Sequence, residues 1–172
     1  MFQEEARFGR IRDPRHGWAP AGVRPEVSRQ VVREYEYAFA AISPPDGTLD
    51  SLVLPTVHAE AMNVFLAEVS QRHPGELILM VLDGAGGHKA KRLPVPTRMR
   101  LLFLPPWSPP LHPVEHLWDE GREKWFANRV FDSLDAVEEQ LLPALKTWEE
   151  DAPRVASLTG FDWIKSIPLN AH

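Results

Sequence analysis

Cysteine is absent from all 172 residues. That excludes disulfides and thiolate metal sites, leaves any metal chemistry to carboxylates and imidazoles, and fits a reducing, cytoplasmic setting. Also missing is any apolar run near the roughly 20 residues that span a bilayer, so no membrane association is expected. Residues 1 to 13 are charged and lack the apolar core of a secretory leader. Repeats and low-complexity tracts are lacking too, and the length suits one domain, 1–172, with a sizeable core.

A net charge of −5 argues against indiscriminate nucleic-acid binding, but the charge is uneven. Residues 1 to 33 carry seven arginines against four acids, and residues 88 to 100 carry Lys89, Lys91, Arg92, Arg98 and Arg100 with no acid. Acids gather instead from Asp132 to Asp151. Such a division permits phosphate contacts on one face, and it is equally the pattern of an ordinary solvated surface.

Two carboxylates stand out by context. The run Leu77 to Leu82 is apolar and too short for a typical helix, and it stops at Asp83 followed by Gly84, Gly86 and Gly87. It reads as a buried strand ending in a loop. Polar groups at strand exits of α/β sheets meet ligands, although an Asp beside glycine also simply forms turns. A second run, Arg100 to Leu104, leads into a proline-rich arm from Pro105 to Pro113 that neither helix nor central strand accommodates. Val114, Leu117, Trp118, Gly121 and Trp125 then recur at helical spacing, with Pro113 suited to the first helical position. Glu115 falls in the first turn, where its charge suits the helix dipole.

In chain order, Phe2, Glu4, Ala6 and Phe8 share one face of a strand ending near Gly9, and Glu4 is a charge among apolar neighbours, costly unless paired or metal-bound. Residues 10 to 30 read as a loop anchored by Trp18. A strand from Glu34 to Ile42, a turn at Pro44 to Gly47 and a strand from Ser51 to Leu54 complete a three-stranded antiparallel unit. Ala61, Met62, Phe65, Leu66 and Val69 predict a helix over 58–71. A helical turn over 88–93 follows the first apolar run. Beyond the helix from Pro113, another capped by Asp132 or Ser133 is predicted to stop before Pro143, and Phe161, Trp163, Ile164 and Ile167 are predicted to pack as a tail. The order β-β-β-α-β-α-β-α implies an α/β fold with a mixed sheet flanked by helices.

One motif points elsewhere. His112-Pro113-Val114-Glu115-His116 matches the inverted zinc pattern H-x-x-E-H of a hydrolase. That pattern needs both histidines on one helical face, and Pro113 pushes His112 out of the α region into a capping position.

Val81-Leu82-Asp83-Gly84-Ala85-Gly86-Gly87-His88-Lys89 and the segment from Leu104 to Trp118, with 31 residues between Asp83 and Glu115, resemble the catalytic domain of DDE transposases. The resemblance is to the mariner-type superfamily and its bacterial relatives in the insertion-sequence 630 family. Phe2 to Gly9 is similar to the family's first-strand motif. The resemblance implies an RNase H-like fold and DNA strand cleavage and transfer at insertion-sequence ends. It implies Glu4, Asp83 and Glu115 as ligands for Mg²⁺ or Mn²⁺, with Asp83 bridging two ions, and Arg7, His88, Lys89, Lys91 and Arg92 as DNA contacts. Implied partners are terminal-repeat and target DNA and a second subunit in a homodimer, in the bacterial cytoplasm and at the nucleoid when acting. An N-terminal helix-turn-helix portion is expected outside this chain. Glu4 stands where the family has Asp, and His112, Gly84 and Gly87 also depart from its pattern. A truncated or decayed domain that folds without cutting is the alternative these departures raise.

Overall fold

The computed structural model describes residues 1–12, 19–24, 26, 30–84, 93–105 and 112–166, the side chains of 11 and 12 apart. Trp18, Ile167, residues 88–92 of the expected helical turn, and with them His88, Lys89, Lys91 and Arg92, lie outside the described residues.

Five strands form one mixed sheet: β1 (Phe2–Arg12), β2 (Gln30–Ser43), β3 (Thr48–Leu54), β4 (Ile78–Leu82) and β5 (Met99–Phe103), in the order β3-β2-β1-β4-β5. β1 pairs antiparallel with β2 and β2 with β3, whereas β4 runs parallel to β1 and β5 parallel to β4. The hairpin turn before β3 closes as expected. Gly47 takes φ +76° and donates its N–H to the Ser43 carbonyl, and Asp46 accepts from the Thr48 N–H.

Strand alternation divides the core. Phe2, Ala6, Phe8, Ala38, Ala40, Ile42 and Val81 face α2 (Val114–Trp125), α3 (Leu134–Glu149) and α4 (Ala152–Thr159). Phe39, Ala41, Ile78, Met80, Leu82 and Met99 face α1 (Ala59–Arg72), which buries the five residues that predicted it. Residues Ala38 to Ile42 are fully buried, because β2 is covered on both faces, and its alanines let helices approach closely.

Several boundaries depart from the sequence reading. β1 continues past Gly9 to Arg12 and β2 begins at Gln30, so part of the expected loop over 10–30 is a strand ribbon. The register shifts between Gly9 and Ile11, and a Cβ at Gly9 would lie 2.2 Å from the Glu34 carbonyl oxygen, so glycine makes the bulge possible. The ribbon is pinned to the loop after α2. Arg10 Nε and Gln30 Nε2 donate to the Phe131 carbonyl at 2.8 and 2.6 Å, and the Phe131 N–H returns a bond to Gln30. The run 77–82 is not buried throughout: Leu77 is 72% and Leu79 51% exposed. Their side of β4 lies beyond α2, which packs on β1.

Pro143 does not stop α3. The helix is capped by Ser133, whose hydroxyl accepts from the Ala136 N–H, and it runs through to Glu149. An interior proline costs about 3 kcal/mol. Continuing past it buries Ala144, Leu145 and Trp148, the larger of which each contribute about 1.5–3 kcal/mol. The expected tail packs through Phe161 and Ile164, the latter in a short helix α5 (Asp162–Lys165), and α4 before it is capped by Asp151, which accepts from the Arg154 N–H. Pro113 is the N-cap of α2 rather than its first residue.

α2 and α3 meet at Gly121, where a Cβ would lie 2.3 Å from Trp148 Cη2. Trp148 is 2% exposed and wedged against Trp118 and Trp125, so it has nowhere to go. Alanine gains about 1 kcal/mol of helix propensity, but overpacking costs about 1–3 kcal/mol. Gly121→Ala is therefore expected to lower stability by up to about 2 kcal/mol, read from the urea midpoint; a stabilised variant would contradict this packing.

On the β3 side, buried Asp50 accepts a 2.7 Å bond from His73 Nε2 and lies 3.6 Å from Arg72. Burial pulls the His73 pKa down, but the hydrogen bond and charge of Asp50, with Glu76, outweigh it and the net shift is upward. A histidine raised above its unfolded value stabilises fully below that value, and the contribution is lost as pH rises through the folded pKa. Asp50→Asn should therefore cost on the order of 2 kcal/mol at pH 5.5 and less at pH 8.5, in denaturant melts at both pH values.

Candidate active site of three carboxylates

Glu4 is the third residue of β1 and faces the α2 side of the sheet with Phe2 and Ala6. β4 aligns Phe2 with Val81 and Gln3 with Leu82. One step further along this parallel register brings Asp83, the first residue beyond β4, level with Glu4. Alternation puts it on the same face as Val81. Glu115 arrives from the third direction, in the first turn of α2, which is buried along Val114, Leu117, Trp118 and Gly121. The Glu115 N–H bonds back to the His112 carbonyl at 3.3 Å.

Electrostatics register the convergence. The Glu4 carboxyl is pushed up to about 9, first by burial, then by the charge of Glu115 and a hydrogen bond with it, then by Asp83 and Glu5. Asp83 itself is exposed at the strand exit and Glu115 is half-buried. Glu4 Oε2 is buried without a hydrogen-bond partner.

Beside Glu4 lies His112, 3% exposed, its Nδ1 3.5 Å from Glu4 Oε2 and its ring edge-on to Phe2 at 6.1 Å. Burial lowers its pKa, while Asp83, the Gln3 backbone, Glu115 and Glu5 act the other way. His112 is thus a buried neighbour of the acids and not the helix cap that the sequence suggested. His116 is exposed and set against Phe161 at 5.0 Å, so the two histidines of the zinc-like motif do not share a face. Arg7 belongs to the opposite face of β1 from Glu4 and stacks over the Tyr35 ring at 4.3 Å. Sequence reasoning passed over Gln3, fully buried with both amide atoms unpartnered. Nothing local signals its burial, which comes from its neighbours Ala41 and Leu82.

Among the described residues, no three His, Asp or Glu side chains are gathered closely enough to hold a metal ion as they stand. The donor chemistry nevertheless fits a hard divalent cation. The groups offer only oxygen, one buried carboxyl oxygen lacks any partner, and burial together with repulsion by the other acids keeps Glu4 protonated where a cation would let it ionise.

Residues 1–138 match the family model described as DDE superfamily endonuclease. The chain belongs to this family. A curated protein from Sinorhizobium fredii (strain NBRC 101917 / NGR234), y4pE/y4sA, is 40% identical over 104 residues, 60% of this chain and 77% of that protein. The Mos1 transposase paired-end complex with left transposon end superposes with a TM-score of 0.60 at 17% identity, covering 93% of this chain. The catalytic domain of Mos1 mariner transposase gives 0.53 at 15% identity, covering 78% of this chain and 76% of that one. The DDE-family chain spans about half, 55%, of the longer Mos1 chain. The fold is accordingly an RNase H-like one, similar to that of the Mos1 catalytic domain, as the resemblance implied.

A carboxyl whose pKa is raised on folding binds its proton more tightly in the native state, so stability is fully present below the unfolded value and lost as pH rises through the folded one. For Glu4 that window runs from about 4.5 to about 9. Glu4→Gln should therefore leave metal-free stability unchanged near pH 4 and raise it by a few kcal/mol near pH 8. Equal melts of the two proteins at pH 8 would show that Glu4 is not held in this repulsive setting.

Proposed function

We propose that this domain catalyses metal-dependent phosphoryl transfer on DNA, the strand cleavage and strand transfer of a transposase acting at insertion-sequence ends. The observation that carries the reading is the approach of three carboxylates from β1, the end of β4 and the start of α2 on one face of an RNase H-like sheet, where burial and then the neighbouring acids raise Glu4 to about 9. Support comes from the DDE family match and from the Mos1 paired-end complexes with Mn and with Mg.

Glu4, Asp83 and Glu115 would hold two Mg²⁺ or Mn²⁺ ions. Bound there, the cations would polarise the scissile phosphate and lower the pKa of an attacking water or 3′-hydroxyl. The chain's own residues do the rest. Asp83, exposed at the strand exit, faces the incoming DNA. Glu115 is fixed in position by the four buried residues of α2 behind it. Glu4 gives up its proton as the site is loaded, since its raised pKa comes from burial and from repulsion by the other acids. The basic residues His88, Lys89, Lys91 and Arg92, on the chain just past Asp83, are suited to the DNA backbone, and Arg7 to a phosphate on the other side of β1. Terminal-repeat recognition by a helix-turn-helix portion and action as a homodimer in the bacterial cytoplasm, at the nucleoid, belong to the same reading.

A folded but inactive domain is the second reading, favoured by the ungathered state of the carboxylates and by a glutamate at position 4. Cleavage of a labelled insertion-end duplex in Mg²⁺ or Mn²⁺ decides between them. The active reading expects metal-dependent nicking that falls at least about 100-fold in Asp83→Ala. Nicking retained by that variant would sink the proposed site, and no nicking by the parent protein joined to its DNA-binding portion would favour the relic.

A further inference from the structure

Two buried polar groups meet beside the site, each with atoms left unsatisfied. Glu4 Oε2 has no hydrogen-bond partner, both ring nitrogens of His112 have none, and Nδ1 stands 3.5 Å from Oε2. Buried polar atoms without partners cost free energy and are uncommon in native proteins. Here the two unsatisfied atoms face each other across a gap only a few tenths of an ångström longer than the usual 2.7–3.2 Å of a hydrogen bond. The ring is held from behind. It is 3% exposed, Phe2 meets it edge-on, and Pro113 and Val114, the next two residues, are buried where α2 begins. The imidazole therefore has little freedom of its own, while the Glu4 side chain has one more rotatable bond than aspartate.

We propose that His112 is a positioning residue for Glu4, its Nδ1–H donating to Oε2 so that the longer carboxylate is held in one rotamer facing Asp83 and Glu115. This rests on the reading of Glu4 as a member of the metal site, but the pair is testable without it. The tautomer follows from the partner: an Nδ1–H donor is required if Oε2 is to accept. The bond fixes an otherwise loose side chain, so the cost of ordering Glu4 is met before a cation arrives. Shortening Glu4 to aspartate withdraws the oxygen by about the length of one C–C bond, roughly 1.5 Å, beyond reach of a ring that cannot follow.

Two measurements on the full chain test this. The first is the ¹⁵N signature of His112 in metal-free protein at pH 8. The expected result is an Nδ1–H tautomer that shifts toward Nε2–H in Glu4→Asp. An Nε2–H ring, indifferent to residue 4, overturns the pair whatever the metal does. The second is Mn²⁺ affinity, from the paramagnetic resonance signal of free ion, in the parent protein, His112→Phe, Glu4→Asp and the double variant. Phenylalanine keeps the edge-on contact with Phe2, and thermal melts identify any loss of fold. His112→Phe should weaken Mn²⁺ binding about tenfold in the parent and by less than twofold in Glu4→Asp. Equal effects in the two backgrounds overturn the positioning role while leaving the metal site intact. Absence of Mn²⁺ binding by the parent overturns the metal reading, and the tautomer then decides the pair alone.

Discussion

The pairing of β1 with strands of both directions is the constraint on which the rest depends. Antiparallel β2 holds one side of β1 and parallel β4 the other, and β4 terminates level with the first residues of β1, which runs on beyond it to Arg12. A side chain near the start of β1, on a face committed to core, thereby gains a neighbour at a strand exit. Glu4 is the residue in that position, and its carboxyl inherits the electrostatics of both settings: burial from the sheet, repulsion from the acids at its edge.

The opposing forces are unequal across the molecule. Most of the face carrying Glu4 is a tightly interlocked aromatic seam, with Phe8 against Trp118 and Phe126, and Trp148 against Trp118 and Trp125. That seam fixes α2 on β1 and so fixes where Glu115 begins. Around the acids the structure is unfinished in a specific sense. Glu4 and His112 carry unsatisfied polar atoms, and the carboxylates stand near enough to repel but are not gathered into a cage. Free energy withheld from folding at such a point is what a cation can release on binding.

The distant charge cluster of Asp50, His73, Arg72 and Glu149 shows the opposite solution. There buried Asp50 has His73 and Arg72, Glu149 has Ser51 and Arg72, and the edge strand β3 is tied to α1 and α3. The same residue types thus tie the sheet to its helices at one end and stand repelling one another at the other, and what separates them is whether the charges are matched.

The sequence by itself determined the order of the elements from β1 to α2, the helical turn over 88–93 apart, the five core positions of α1 and the hairpin turn, and it set Asp83 at a strand exit and Glu115 at a helix start, because each depends on periodicity or on glycine and proline within a few residues. It also marked Glu4 as misplaced, since a charge in an alternating strand is visible locally. Tertiary structure alone decided the rest. Past Pro143, α3 continues because burial of Leu145 and Trp148 outweighs one lost hydrogen bond, a comparison that needs the partner surface. β1 and β2 extend beyond their local pattern because Gly9 permits a bulge and Phe131 clamps the ribbon. His112 looked like a cap beside a proline, and only the packing of α2 onto β1 sets its ring against Glu4. Contacts between residues far apart in the chain leave no trace in local pattern, and the protonation of Glu4 is a sum over exactly such contacts.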